Sequence, residues 1–235
     1  MNYGQFCPVA KASEVIGEKW TILILRELLL GTKRFSDFQR SLSRMSPTLL
    51  SKRLKHLEES GIVINKKIPG QRGSEYRLSA AGKELGPLVE VLANWGMRWA
   101  RGQLTDDELD VDFLMREMQR RLQTEYLPDG ETTICLMFDD MAEHNTWWLL
   151  VEDDSVDVCT ENPGKDVDIY IKSDVRTIIN IWEGDTPIRS AVRAKTVKLI
   201  GSRHLIRSIS DWFAVCLYKD VQRGDPKLMR QLSKG

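Results

Sequence analysis

Ser46 to Glu59 carries side chains suited to phosphate and base edges: hydroxyls at Ser46, Thr48 and Ser51 and amines at Lys52 and Lys55. Such groups donate hydrogen bonds and positive charge to a nucleic-acid backbone. At about 100° per residue, Leu54 and Leu57 fall within about 40° of Leu50, whereas Thr48, Lys52, Lys55 and Glu59 fall about 140° to 200° away. One face of this helix is therefore core and the opposite face is presented. Arg34 lies ahead of the stretch, and Arg72 lies beyond it in the turn Pro69-Gly70-Gln71-Arg72-Gly73. A cation at such a tip is placed to pair with phosphate or enter a minor groove.

Other chemistry is poorly supported. His144 and His204 share the second half of the chain with Cys135 and Cys159, without the His-x-x-x-His or Cys-x-x-Cys spacing of a metal site. Asp139-Asp140 and Glu152-Asp153-Asp154 follow strand-like segments and read as solvated turns. There is no glycine-rich phosphate loop and no Gly-x-Ser-x-Gly elbow. We therefore expect no catalytic residues, no metal and no cofactor. The four cysteines, Cys7, Cys135, Cys159 and Cys216, are widely spaced and suit a reducing compartment.

The presented helix needs neighbours to hold it. Ser46-Pro47 sets a capping hydroxyl before a proline at the first helical position, so a helix is expected from Pro47 to about Ser60, ended by Gly61. Ahead of it, helices are expected over Pro8–Gly17 and Lys19–Leu29, and a short one from Ser36 with Phe38 and Leu42 inward. Two short helices joined by the tight turn Ser43-Arg44-Met45 have helix-turn-helix spacing. Strands Ile62–Ile68 and Ser74–Leu78 then flank the basic turn as a hairpin, or wing. Ser79–Arg101 returns to helix, with Leu85, Leu88, Leu92, Trp95 and Trp99 on one face.

The 235 residues suffice for two cores. Lys plus Arg equals Asp plus Glu at 34 each, but residues 1–105 carry a net +8 and residues 106–235 a net −8. That split points to two domains with different partners. We place the first at 1–102, a linker at 103–112 and the second at 113–235. The longest apolar run, Thr21–Leu25, is far too short for a bilayer, and the N-terminus lacks the pattern of an export signal, so a cytoplasmic protein is expected.

In the second domain a helix is expected over Phe113–Tyr126, then strands Thr132–Phe138, Thr146–Val151, Ser155–Cys159, Val167–Ile171 and Lys195–Ile200. Helices are expected at Asp174–Trp182 and Ser202–Tyr218. The overall fold class is α+β, a winged helix-turn-helix followed by a mixed domain. Apolar bulk at Leu136, Phe138, Trp148, Trp182 and Trp212 either packs a core or lines a cavity for an apolar ligand.

Cys7-Pro8-Val9, Gly17-Glu18-Lys19-Trp20-Thr21, Ile24-Leu25-Arg26-Glu27-Leu28, Arg34-Phe35-Ser36, Leu50-Ser51-Lys52-Arg53-Leu54, Leu57-Glu58-Glu59-Ser60-Gly61 and Gly82-Lys83-Glu84-Leu85 closely resemble the HxlR family of MarR-like regulators. The resemblance covers about residues 5 to 100. It implies a winged-helix homodimer on double-stranded DNA at an inverted repeat, with the first helix and the Leu85–Trp99 helix at the two-fold interface. It also sets Cys7 at a position that is a thiol sensor in some members, so a redox regulator is an alternative. A looser resemblance, over about residues 113 to 220, links Asp166–Asp174, Ile178–Asp185 and Val197–Ser202 to sterol carrier protein type 2 domains, which implies an apolar small-molecule or lipid effector. A lipid carrier or enzyme using the winged helix for protein contacts is a further alternative.

Overall fold

The structure is a computed structural model that describes residues 2–68, 70, 73–101 and 104–225. The chain divides into two compact units, Met1–Trp95 and Gly96–Gly235.

The first unit runs α1 (Pro8–Ile16), α2 (Thr21–Leu29), α3 (Phe35–Ser41), α4 (Pro47–Glu59), β1 (Val63–Lys67), β2 (Ser74–Leu78), α5 (Ala80–Lys83) and α6 (Gly86–Trp95). Ile24, Leu25, Phe38, Leu42, Leu50, Leu54, Leu57 and Val63 form its core. Trp20 stands at the head of α2 with φ at +79°, a left-handed backbone that costs a non-glycine residue about 1 kcal/mol. Its ring packs against the core and carries the Lys19 ammonium 5.7 Å from the ring centroid. That packing offsets the strain.

Two expectations for this unit are corrected. The helix expected from Ser36 starts at Phe35, because Lys33 and Arg34 are extended: the Lys33 carbonyl accepts the Tyr76 N–H at 2.8 Å and Arg34 bridges Glu75. The single helix expected over Ser79–Arg101 is three pieces: α5, α6 and a π-turn at Gly96–Ala100. Gly86-Pro87 explains one break, since proline interrupts a helix interior and suits a helix start. Gly82 sits so near the wing that a Cβ there would lie 2.3 Å from the Ile62 carbonyl oxygen.

The second unit holds α7 (Val111–Arg121), β3 (Glu131–Phe138), β4 (Thr146–Glu152), β5 (Ser155–Cys159), β6 (Ile169–Ser173), α8 (Val175–Trp182), α9 (Ile188–Arg193), β7 (Lys198–Gly201), α10 (Arg203–Arg207) and α11 (Ile209–Trp212). Its sheet has the order β5-β4-β3-β6-β7, with β3 antiparallel to β4 and parallel to β6. Ile134, Leu136 and Phe138 on β3, Trp147, Leu149 and Val151 on β4, and Ile169 and Ile171 on β6 share one face by register. Buried side chains of α7 to α11 join them in one core. Asp110 caps α7 through the Phe113 N–H, and Asp174 caps α8 through the Thr177 N–H.

The expected helix Phe113–Tyr126 ends at Arg121, with a separate 3-10 turn at Thr124–Tyr126. The expected helix Ser202–Tyr218 is the pair α10 and α11, after which Phe213 is extended. Ser208 lies between the two, its hydroxyl donating to the His204 carbonyl at 3.1 Å, a local bond that competes with helix continuation. Helix α9 is an addition to the expected elements. The segment 103–112, expected as a linker, carries Leu104 and Leu109 packed on this core.

Candidate nucleic-acid interface

Helix α3, the turn Leu42–Ser46 and helix α4 bring the expected contact residues together. Leu50, Leu54 and Leu57 are at most 1% exposed, which anchors α4 along one side. Thr48, Ser51, Lys52 and Lys55 are exposed on the other side. Ser46 works first as a cap: its hydroxyl oxygen accepts the Leu49 N–H at 3.3 Å, leaving its own O–H to donate. Lys52 has no acidic partner among the described residues, while Lys55 lies 3.7 Å from Glu59 with both side chains largely exposed. An exposed pair of that kind holds its lysine weakly.

Arg34 belongs to the segment ahead of α3 and not to α4. It stands half-buried at the start of α3, its backbone bridged to Glu75 at the base of the wing. The Arg77 guanidinium, 2.7 Å from Glu75, holds that carboxyl below the ordinary range. Arg72, expected at the wing tip, lies outside the described residues. The described part of the wing presents exposed Lys66, Lys67 and Arg77.

Sequence reasoning missed Arg53. It is mostly buried, ion-paired to Glu18, and its Nε donates to the Lys19 carbonyl at 3.2 Å. It therefore aligns α4 rather than presenting charge. The pattern of apolar positions on α4 carried no sign of it, because its partner lies 35 residues earlier. Arg26 is likewise structural: it pairs at 2.8 Å with the fully buried Glu27, which also accepts from Thr32.

A family pattern described as HxlR-like helix-turn-helix matches residues 15–103. The transcriptional regulator YvaP of Bacillus subtilis (strain 168) is 37% identical over 101 residues, covering 42% of this chain and 94% of that one. The chain belongs to the HxlR-like helix-turn-helix family. It is a transcriptional regulator of the HxlR type. The regulator Rv3095 of Mycobacterium tuberculosis (strain ATCC 25618 / H37Rv) is 42% identical over 91 residues, covering 37% of this chain and 56% of that one. A solved MarR-family regulator from Porphyromonas gingivalis W83 is 28% identical, covers 40% of this chain and 92% of its own, and superposes with a TM-score of 0.37.

The residues singled out in the second half of this HxlR-type chain do not form one group. Leu136, Phe138 and Trp212 are buried in its core. Trp182 is half-buried against that core, its ring meeting Phe113 edge-on at 6.2 Å. Trp148 lies apart from these: it stands opposite Cys135 on the other sheet face, and Trp147 takes the core side opposite Leu136. Strand alternation separates the two neighbours. The Trp147 and Trp212 indoles donate to the His144 and Leu205 carbonyls, both at 3.0 Å, whereas the buried Trp182 Nε1 has no partner among the described residues.

Cys7 is a free, half-buried thiol immediately ahead of α1.

Proposed function

We propose that the chain binds double-stranded DNA as a homodimer, with α4 in the major groove. The observation that carries this reading is the division of α4. Its leucines are locked into the core while Thr48, Ser51, Lys52 and Lys55 face outward from a helix whose start is capped and whose alignment is set by Arg53. Lys52 and Lys55 neutralise phosphates, and Thr48 and Ser51 reach base edges. The dimer reading is supported by α6, where Leu88, Val91, Leu92 and Trp95 are all exposed. Four large apolar residues on one short helix are a patch that a partner copy would cover. A two-fold dimer predicts an inverted repeat with half-sites about one helical turn, or a multiple of it, apart.

The test is DNA affinity against salt. Binding falls steeply with salt because counterions are released, and a Lys52→Ala/Lys55→Ala variant flattens the slope by about 2. A variant with wild-type slope would remove both lysines from the interface.

We infer that the second unit senses an apolar small molecule with a hydrogen-bond acceptor. The indole N–H of Trp182, unpartnered among the described residues, supports this, since a buried donor left unpaired costs about 1 to 3 kcal/mol that an acceptor on a ligand would recover. Such a ligand shifts DNA affinity by favouring one spacing of the recognition helices over another. Native mass spectrometry of the purified protein is expected to show an adduct that Trp182→Phe loses. An adduct unchanged in that variant would place the ligand elsewhere.

A further inference from the structure

In residues 106–235, whose net charge is −8, the segment Thr186 to Ser210 holds six Lys or Arg and no Asp or Glu. A stretch of 25 residues free of acids, in the acidic half of the chain, is a local reversal of sign. The fold gathers it on contiguous elements: α9, the turn at Lys195, β7, α10 and the start of α11. The guanidinium of Arg189 on α9 donates to the Arg207 carbonyl at the end of α10 and to the Ser210 hydroxyl on α11, so α9 adjoins α10 and α11.

The cations of this strip face solvent. Arg189, Arg193, Lys195, Lys198, Arg203 and Arg207 are all exposed, and none of them forms an ion pair among the described residues. Arg189 and Arg193 stand about one turn apart on α9, and Arg203 and Arg207 about one turn apart on α10, so the Arg189–Arg207 contact brings four guanidinium groups onto the same side of the unit. Ser202, Ser208 and Ser210 interleave hydroxyls with these charges. Arginines and serines on one surface are the donors that hold phosphate oxygens.

We propose that this strip of the second unit is an additional, sequence-independent contact to the DNA backbone, separate from the winged helix. The proposal rests on the DNA-binding reading above, because a regulator bound to its operator holds a polyanion at high local concentration. The strip neutralises phosphates outside the segment read by α4, lengthening the footprint and steepening the salt dependence without altering base preference.

The experiment measures affinity of the full chain for a mixed-sequence duplex of about 40 base pairs across a salt series. The variant Arg193→Ala/Arg203→Ala/Arg207→Ala changes three exposed side chains, and thermal melting checks that it is folded. The expected result is a salt slope smaller by about 2 to 3 and affinity lower on the order of tenfold, while Lys52→Ala/Lys55→Ala lowers the slope independently. A wild-type slope in the triple variant, with the α4 variant still flattened, would overturn the strip and leave the DNA reading standing. Absence of DNA binding by the wild type at low salt would overturn both. Binding to vesicles of phosphatidylglycerol that the triple variant loses, at unchanged DNA slope, would assign the strip to a membrane surface instead.

Discussion

Arg53 on α4 is tied to Glu18 ahead of α2, and through its Nε to the Lys19 carbonyl 3.2 Å away. This pairing bolts the presented helix to the turn that carries Trp20. A long-range ion pair of two mostly buried side chains sets the angle at which Thr48 and Lys52 leave the surface. Glu18→Ala is expected to cost roughly 1 to 2 kcal/mol in thermal or urea unfolding and to weaken DNA binding beyond that loss of fold. Wild-type affinity in a destabilised Glu18→Ala protein would show that α4 is aligned by its leucines alone.

Trp95 is about half exposed at the end of α6, beside exposed Val91 and Leu92. A Trp95→Glu variant places a charge in that apolar face. Light scattering coupled to size exclusion is expected to show a dimer for the wild type and a monomer, or a strongly concentration-dependent mixture, for the variant. A variant that stays fully dimeric at micromolar concentration would move the interface off α6.

The four cysteines separate by burial. Cys135 and Cys216 are buried, and burial pushes the Cys135 thiol up to about 11 and raises that of Cys216. At pH 8 only about one in a thousand Cys135 side chains is a thiolate. Brief treatment with iodoacetamide at that pH is expected to label Cys7 and Cys159, with Cys135 and Cys216 labelled only after unfolding. Mass spectrometry of the native reaction showing modified Cys135 would contradict the burial of the β3 strand.

Glu183 follows α8, and burial raises its carboxyl above the ordinary value despite the opposing pull of Arg101 and Arg223. The folded state therefore holds this proton more tightly than the unfolded chain. Its contribution to stability is most favourable at acid pH and is lost as pH rises from the unfolded value through the raised folded one. Glu183→Gln is expected to melt at a higher temperature than wild type at pH 7, with the difference closing near pH 4. An equal or lower melting temperature at pH 7 would mean that the arginines outweigh burial.

Much was readable along the chain because it rests on short-range rules. The three leucines of α4, its Ser46 cap and the strands of the wing follow from helical and strand periods and from capping chemistry, which act over a few residues. The strand order of the second unit is of another kind: β3 meets β6 in parallel, with β4 and β5 intervening in sequence. Helix continuity was misjudged at Gly86-Pro87 and at Ser208, where apolar spacing alone suggested one long helix and local hydrogen bonding or a missing N–H divided it.

By itself the sequence determined which face of α4 is core, where helices begin at Ser46-Pro47 and that the two halves carry opposite charge, since each depends on residue type and local spacing. Tertiary structure decided that Arg53 is a brace, that Trp147 rather than Trp148 enters the second core, and that the arginines of α9 and α10 adjoin. These depend on which distant segments meet, and that is set by how the whole chain buries its apolar faces at once.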